Sequence, residues 1–197
     1  MKIHDIFGPG SNIKERIMTD YEALAQKVGY MRGLGLRLGL TSGSFDMIHI
    51  GHARYVEALK AEGLVDVMIV GVESDDKVRE RKKHKGGVRP VYPLEERAEM
   101  LCHLRHVDLV MVKELTDQPW QLIKVVRPDV LLVTQETYKD EQLEKLREFC
   151  NDIKVLAPQA TTTTSAKIRR LFTGWNQDMR EKIMTALEGV FRDSAAS

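Results

Sequence analysis

Leu36-Arg37-Leu38-Gly39-Leu40-Thr41-Ser42-Gly43-Ser44-Phe45-Asp46-Met47-Ile48-His49-Ile50-Gly51-His52 sets the reading of the whole 197-residue chain. It opens on an apolar run and closes at the head of an amphipathic stretch, His52 to Ala61, so a strand, a loop and a helix follow one another. Gly43 and Ser44 come directly after the strand, as a phosphate-cradling turn requires, because small residues let backbone N–H groups approach an anion. His49 and His52 stand three apart at the helix start, so both imidazoles can face the positive end of the helix dipole. Gly51 between them leaves room for a ligand. A lone histidine in such a place usually caps a helix or fills a core, and Gly43 alone would be an ordinary turn glycine. The complete string between an apolar strand and an amphipathic helix points instead to a site that stabilises charge on phosphorus-bound oxygens.

Outward from this loop the chain keeps an α/β rhythm. Apolar runs recur at Val67 to Val72, Val107 to Val112, Val130 to Val133 and Ile153 to Leu156, each flanked by turn formers or charges. Amphipathic stretches alternate with them at Leu94 to Leu104, Pro119 to Val126 and Asp140 to Cys150. Short continuous apolar runs suit parallel strands buried on both faces, and parallel strands need crossover helices, so a doubly wound parallel sheet is expected. In such sheets ligands bind beyond the carboxyl ends of the strands, where the strand order reverses.

Composition narrows the partners. Lys+Arg total 30 against 29 Asp+Glu, a net charge of +1, so no whole-molecule field points to nucleic acid or to a membrane surface. Cys102 and Cys150 are far apart and read as reduced thiols. The amino terminus lacks the basic head and apolar run of a signal peptide, and no eighteen apolar residues follow one another. A cytoplasmic protein is expected. Cys102, His103 and His106 fall on one helix and its exit without a second ligand pair, so no metal site is assigned to them. Trp120 and the methionines read as packing residues.

Two further stretches carry chemistry. Lys77, Arg79, Arg81, Lys82, Lys83, Lys85 and Arg89 are relieved within their own run only by Glu80, and the run follows the second strand, at the same sheet edge as the histidine loop. Such a run is either a solvated face or a mobile loop closing over phosphates, with Gly86-Gly87 as its hinge. Thr161-Thr162-Thr163-Thr164-Ser165 precedes Ala166-Lys167-Ile168-Arg169, a hydroxyl cap that could donate to a phosphate at a helix start. Met179, Ile183, Met184, Leu187, Val190 and Phe191 recur at helical spacing, an amphipathic helix that packs on the domain or across a dimer.

The string Gly43-Ser44-Phe45-Asp46-Met47-Ile48-His49-Ile50-Gly51-His52 resembles the G-x-F-D-x-x-H-x-G-H signature of the cytidylyltransferase-like nucleotidyltransferases. Ser74-Asp75, then Lys85-Gly86-Gly87-Val88-Arg89-Pro90-Val91-Tyr92-Pro93 with Arg97, is similar to the pattern of the heptose-1-phosphate adenylyltransferases of lipopolysaccharide core synthesis. Val107-Asp108 and Arg127-Pro128-Asp129-Val130 resemble strand starts of that group, and a helix from Thr19 lies where those enzymes carry one. The likeness runs from Thr19 to Leu171. It implies an α/β fold with a doubly wound, Rossmann-like five-stranded parallel sheet and added N- and C-terminal helices. The division expected is an N-terminal extension, 1–18, a nucleotidyltransferase domain, 19–172, and a C-terminal helical extension, 173–197.

The resemblance implies transfer of a nucleotidyl group from ATP to a sugar 1-phosphate of the heptose type, with pyrophosphate released, Mg²⁺ as cofactor and a homodimer as the assembly. His49, His52, Lys85 and Ser165 take the catalytic places, with Lys82 or Lys83 able to substitute for Lys85. Gly43, Ser44, Phe45, Gly51, Thr164, Arg169 and Glu136 take nucleotide-binding places, and Asp46 and Arg97 the acceptor side. Relatives carry Lys-Gly-Gly-Asp-Tyr after the fourth strand, whereas Val133-Thr134-Gln135-Glu136-Thr137-Tyr138 has lost both glycines. The triphosphate therefore stays open between ATP and CTP, with glycerol 3-phosphate or a flavin mononucleotide as rival acceptors. A tRNA-charging core is disfavoured by the short chain and the missing Lys-Met-Ser-Lys-Ser string, and a regulator without turnover by the intact histidines.

Overall fold

The computed structural model of the protein describes residues 13–84, 89–134, 137–157, 159, 170, 173–175 and 177–185. Two units divide the chain, 1–159 and 160–197. In the second, residues 173–175 and 177–185 are helical. No described helix is long and apolar enough to cross a membrane.

The first unit runs α1 (Ile13–Arg16), β1 (Ile17–Met18), α2 (Tyr21–Gly33), β2 (Leu38–Gly43), α3 (Ile50–Ala61), β3 (Val67–Glu73), α4 (Asp75–Lys82), α5 (Leu94–Cys102), β4 (Leu109–Lys113), α6 (Gln121–Val126), β5 (Val130–Thr134), α7 (Asp140–Leu146) and β6 (Asp152–Leu156). The strands form one parallel sheet in the order β1-β4-β3-β2-β5-β6. The expected five strands are therefore six. The extra one, β1, is two residues that pair Ile17 with Val110 and Met18 with Met111, at an edge inside the stretch read as an extension. Two residues carry no alternation, so only their pairing makes them a strand.

Alternation along each strand divides the core between two faces. Leu38, Leu40, Val67, Ile69, Leu109, Met111, Leu131 and Val133 face α2, α6 and α7, packing on Leu24, Val28, Met31, Leu122, Ile123, Val126 and Leu146. Met68, Val70, Val72, Val110, Val112 and Leu132 pack with Val56 and Leu59 of α3 and Ala98 and Leu101 of α5. In α2 the buried Leu24, Val28 and Met31 follow the helical i, i+4, i+7 spacing, and the Asp20 side chain caps it by accepting from Glu22 N–H at 2.8 Å.

At the amino ends of the strands, three aspartates pin neighbours together. Asp66 accepts from Arg37 N–H at 2.8 Å, Asp108 from Met68 N–H at 2.6 Å and Asp129 from Leu38 N–H at 2.7 Å. Each satisfies a backbone donor that the ladder leaves open where a strand begins. The aspartates of the Val-Asp and Arg-Pro-Asp strand starts thus serve the sheet. At the other end, β3 and β5 leave β2 on opposite sides, so the strand order reverses at the exit of β2. The loop 44–49 lies there.

Candidate active site

Strand β2 ends at Gly43, and the ring of Phe45 folds back over it. A Cβ on Gly43 would come within 3.2 Å of the Phe45 ring, tighter than ordinary packing, so any side chain there would have to shift that ring by a few tenths of an ångström. Phe45 and Met47 adopt left-handed backbone, φ 46° and 54°, which costs each roughly 1–3 kcal/mol in a non-glycine residue and persists only where surroundings enforce it.

Asp46 and Arg97 supply that enforcement. The Asp46 carboxylate is buried and accepts from Arg89 at 2.9 Å and from the N–H groups of Val91 and Tyr92 at 2.9 and 3.2 Å. Arg97, only 1% exposed, donates from Nε to the Tyr92 carbonyl, from Nη1 to the carbonyls of Ser44 and Glu73, and from Nη2 to Asp75 at 2.5 Å. All three guanidinium nitrogens are thus occupied by protein. Both residues were expected on the acceptor side. They sit inside a clamp tying the loop to residues 89–92 and to the exit of β3.

Helix α3 begins on the two histidines. His49 is its N-cap, in extended backbone, and its Nδ1 accepts from Gly51 N–H at 3.1 Å. The Nδ1 of His52 accepts in turn from His49 N–H at 3.2 Å, closing a reciprocal capping box with imidazoles in place of the usual hydroxyl and carboxamide. The rings lie 4.1 Å apart, centroid to centroid, and Phe45 stands 5.6 Å from His52. A neutral imidazole accepting at Nδ1 carries its proton at Nε2. Capping therefore fixes the tautomer, with the proton of each ring on Nε2. The cap thus uses Nδ1 of both rings.

The basic run is only partly a loop. Asp75 to Lys82 form α4, with the Ser74 hydroxyl at its N-cap and Asp75 and Asp76 in its first turn. Arg79 pairs with Asp75 and Asp76, Arg81 with Glu73, and Lys83 with Glu80. The run looked uncompensated because three of these acids precede it. Lys82 differs: its Nζ donates to the Ser44 hydroxyl at 2.9 Å, from the last turn of α4 to the loop after β2. Burial, then the charges of Arg81 and Arg89, push its pKa down from 10.5 to about 8. The Ser74-Asp75 pair at a strand exit was the sequence signal for this helix.

Gly43, Ser44, Phe45, Asp46, His49, Gly51 and His52 are thus brought together with Lys82. Lys85, Glu136, Thr164, Ser165 and Arg169 lie outside the described residues. At the exit of β5, across the reversal point, the hydroxyls of Thr134 and Thr137 lie 2.6 Å apart. Among the described residues no group of three or more His, Cys, Asp or Glu could hold a metal ion.

The family whose model matches residues 40–185 is described as cytidylyltransferase-like. The chain belongs to the cytidylyltransferase-like family. Membership makes this domain a nucleotidyltransferase. The bifunctional protein HldE of a Nitratiruptor species is 34% identical over 157 residues, covering 80% of this chain and 32% of that protein. The bifunctional protein HldE of a Bradyrhizobium species is 41% identical over 120 residues, covering 60% of the chain and 23% of that protein. This cytidylyltransferase-like chain therefore spans about a third or less of the length of those curated relatives. The crystal structure of the lipopolysaccharide core biosynthesis protein from Thermoplasma volcanium shares the fold, with a TM-score of 0.53 and 21% identity over 63% of this chain and 98% of that one.

Proposed function

We propose that the chain transfers a nucleotidyl group, from ATP in the first place, to the phosphate of a heptose-type sugar 1-phosphate. The observation that carries the reaction class is the pair of capped imidazoles with Lys82 on Ser44 at the strand-order reversal. The acceptor reading rests on likeness to the HldE proteins together with the Ser-Asp, Lys-Gly-x-x-Arg-Pro-Val and Val-Asp matches.

An acceptor phosphate oxygen attacks the α-phosphorus in line, a new P–O bond forms, and the bond from that phosphorus to the β-phosphate bridge breaks. The electron pair leaves with pyrophosphate. Nε2–H of His49 and His52 donate to phosphate oxygens where this charge gathers, and the Lys82 ammonium offsets it beside Ser44. Lys85 and Ser165 share the catalytic work, and Gly43, Ser44, Phe45, Gly51, Glu136, Thr164 and Arg169 hold the nucleotide. Asp46 and Arg97 fix the loop, so positioning supplies much of the rate. Mg²⁺ would enter with the triphosphate, whose oxygens supply ligands that the described residues do not gather into a cage. The domain spans 19–172, and the active protein is a cytoplasmic homodimer.

A second reading, CTP with glycerol 3-phosphate, draws on the exit of β5, where Thr134 and Thr137 hydroxyls stand in place of open backbone. Pyrophosphate release from ATP and CTP, each with heptose 1-phosphate, glycerol 3-phosphate and flavin mononucleotide, decides between them. ATP with heptose 1-phosphate should turn over fastest. CTP turnover with glycerol 3-phosphate alone would transfer the chain to the second reading.

A further inference from the structure

Glu73 puts a carboxylate at the carboxyl end of β3, whose other residues are all apolar, and it is only 8% exposed. A carboxylate so placed needs a partner, because burial penalises its charged form. That partner is Arg81, whose Nε and Nη2 both donate to Oε2, at 3.1 and 2.6 Å. The Glu73 carbonyl accepts from Arg97 at 2.9 Å, and the same guanidinium nitrogen holds the Ser44 carbonyl. Glu73 is thus joined through its main chain to the loop after β2 and through its side chain to α4.

Helix α4 depends on such ties. It has eight residues, of which only Val78 is buried, and an isolated helix needs roughly 12–15 residues to be even marginally stable. Its first turns are anchored by the Ser74 cap, by Val78 and by the Lys77 ammonium, which donates to the Glu114 carbonyl at 2.6 Å. The last turn is anchored differently. Arg79 pairs within the helix, with Asp75 and Asp76, and Glu80 pairs with Lys83. Among the described residues, the bonds of Arg81 to Glu73 are therefore the tie that brings this turn to the sheet, beside the contact of Lys82 with Ser44 itself. Arg81 and Lys82 are neighbours in that turn, so whatever fixes the one places the other.

Four charges face the Lys82 ammonium: Arg81 on its own helix, Arg89, and the carboxylates of Asp46 and Glu73. Burial and the two cations lower its pKa to about 8, and the two acids oppose them. Removing the Glu73 charge therefore has opposite effects in two cases. With α4 still seated, one opposing acid is gone and the pKa falls further. With the last turn loose, the ammonium regains water and its pKa rises toward 10.5.

We propose that Glu73 is a positioning residue for the transfer: by holding Arg81 it seats the last turn of α4 and so keeps the Lys82 ammonium on Ser44. The proposal rests on the nucleotidyl-transfer reading, and one arm of its test needs no turnover. The rate at which acetic anhydride acylates Lys82, followed by mass spectrometry across pH, reports the protonation of that side chain. In Glu73→Gln, which keeps the side chain's size, the midpoint should move up from about 8 toward 10.5. Arg81→Gln tests the tie from its other end, on a half-exposed side chain whose loss leaves the core untouched. Each variant should lower kcat/KM for ATP about tenfold below pH 8, and the double variant no more than either, since both break one tie. A midpoint at or below about 8 in Glu73→Gln shows Lys82 seated without the carboxylate and overturns the proposal. Falls that multiply in the double variant, or an unchanged kcat/KM with pyrophosphate still released, overturn it too and leave the reaction intact. A raised midpoint with no pyrophosphate from any triphosphate, the unaltered protein included, sustains the seating of Lys82 and overturns the reaction.

Discussion

The ammonium of Lys82 donates to the hydroxyl of Ser44 across 2.9 Å, joining residues 38 positions apart at the exits of adjacent strands. A positive group is thereby held beside the loop at which a triphosphate would bind, at the cost of part of its hydration.

That cost makes binding pH-dependent. With its pKa lowered to about 8, Lys82 loses its proton in the free protein well before an ordinary lysine at 10.5. We expect kcat/KM for the triphosphate to fall above about pH 8, and Lys82→Arg to move this limb to higher pH. Stability runs the other way. Between about pH 8 and 10.5 the unfolded chain holds more protons at this site than the folded one, so stability rises with pH across that window. A pH–rate profile that ends in the same alkaline limb for both proteins would remove Lys82 from nucleotide binding.

The cap and the proposed phosphate contact of the histidines can be separated. His49→Asn keeps an N-cap acceptor, and His52→Gln keeps a residue that can reach back to the N-cap N–H, but in both a differently placed carboxamide replaces the imidazole Nε2–H. Each should lower kcat at least about a hundredfold, roughly 3 kcal/mol of transition-state stabilisation. Unfolding free energy should change by less than about 1 kcal/mol, whereas His49→Ala loses about that much with the cap. Near-normal turnover in the well-folded His52→Gln protein would contradict the proposed chemistry.

Asp46 tests clamp against contact. Asp46→Ala takes the carboxylate from Arg89, Val91 N–H and Tyr92 N–H together. Breaking a buried pair of this kind costs about 3–5 kcal/mol. Denaturant melts should show that loss, partly recovered in Asp46→Asn. A raised acceptor KM with unchanged stability would instead place the side chain on the substrate.

Gly71 has no room for a side chain. A Cβ there would meet Leu122 Cδ2 at 2.5 Å and the Lys113 stem at 2.8 Å, so Gly71→Ala should destabilise by about 1–3 kcal/mol. Combining it with Leu122→Ala should cost less than the sum of the two, measured by denaturant unfolding. Strict additivity would show that the crowding is relieved elsewhere.

Much of this arrangement was legible in the chain itself. Runs such as Val67 to Val72 and stretches such as His52 to Ala61 declare strand and helix because burial imposes a period on residues adjacent in sequence. The string Gly43 to His52 was legible as a candidate site for the same reason: its turn and paired imidazoles lie within one local stretch. What the sequence left open depends on neighbours brought in from afar. Lys82, Lys83 and Lys85 are equivalent as letters, and only the seating of α4 sets Lys82 on Ser44 and Lys83 on Glu80. Arg97 is placed on the acceptor side by resemblance, and only the fold closes Ser44, Glu73, Asp75 and Tyr92 around its guanidinium. The edge strand Ile17–Met18 exists through its pairing with β4. Periodicity and capping are written along the chain, whereas which charge meets which partner is settled by strand order, because Coulomb and hydrogen-bond energies fall away within a few ångströms and only the folded sheet brings those groups that close.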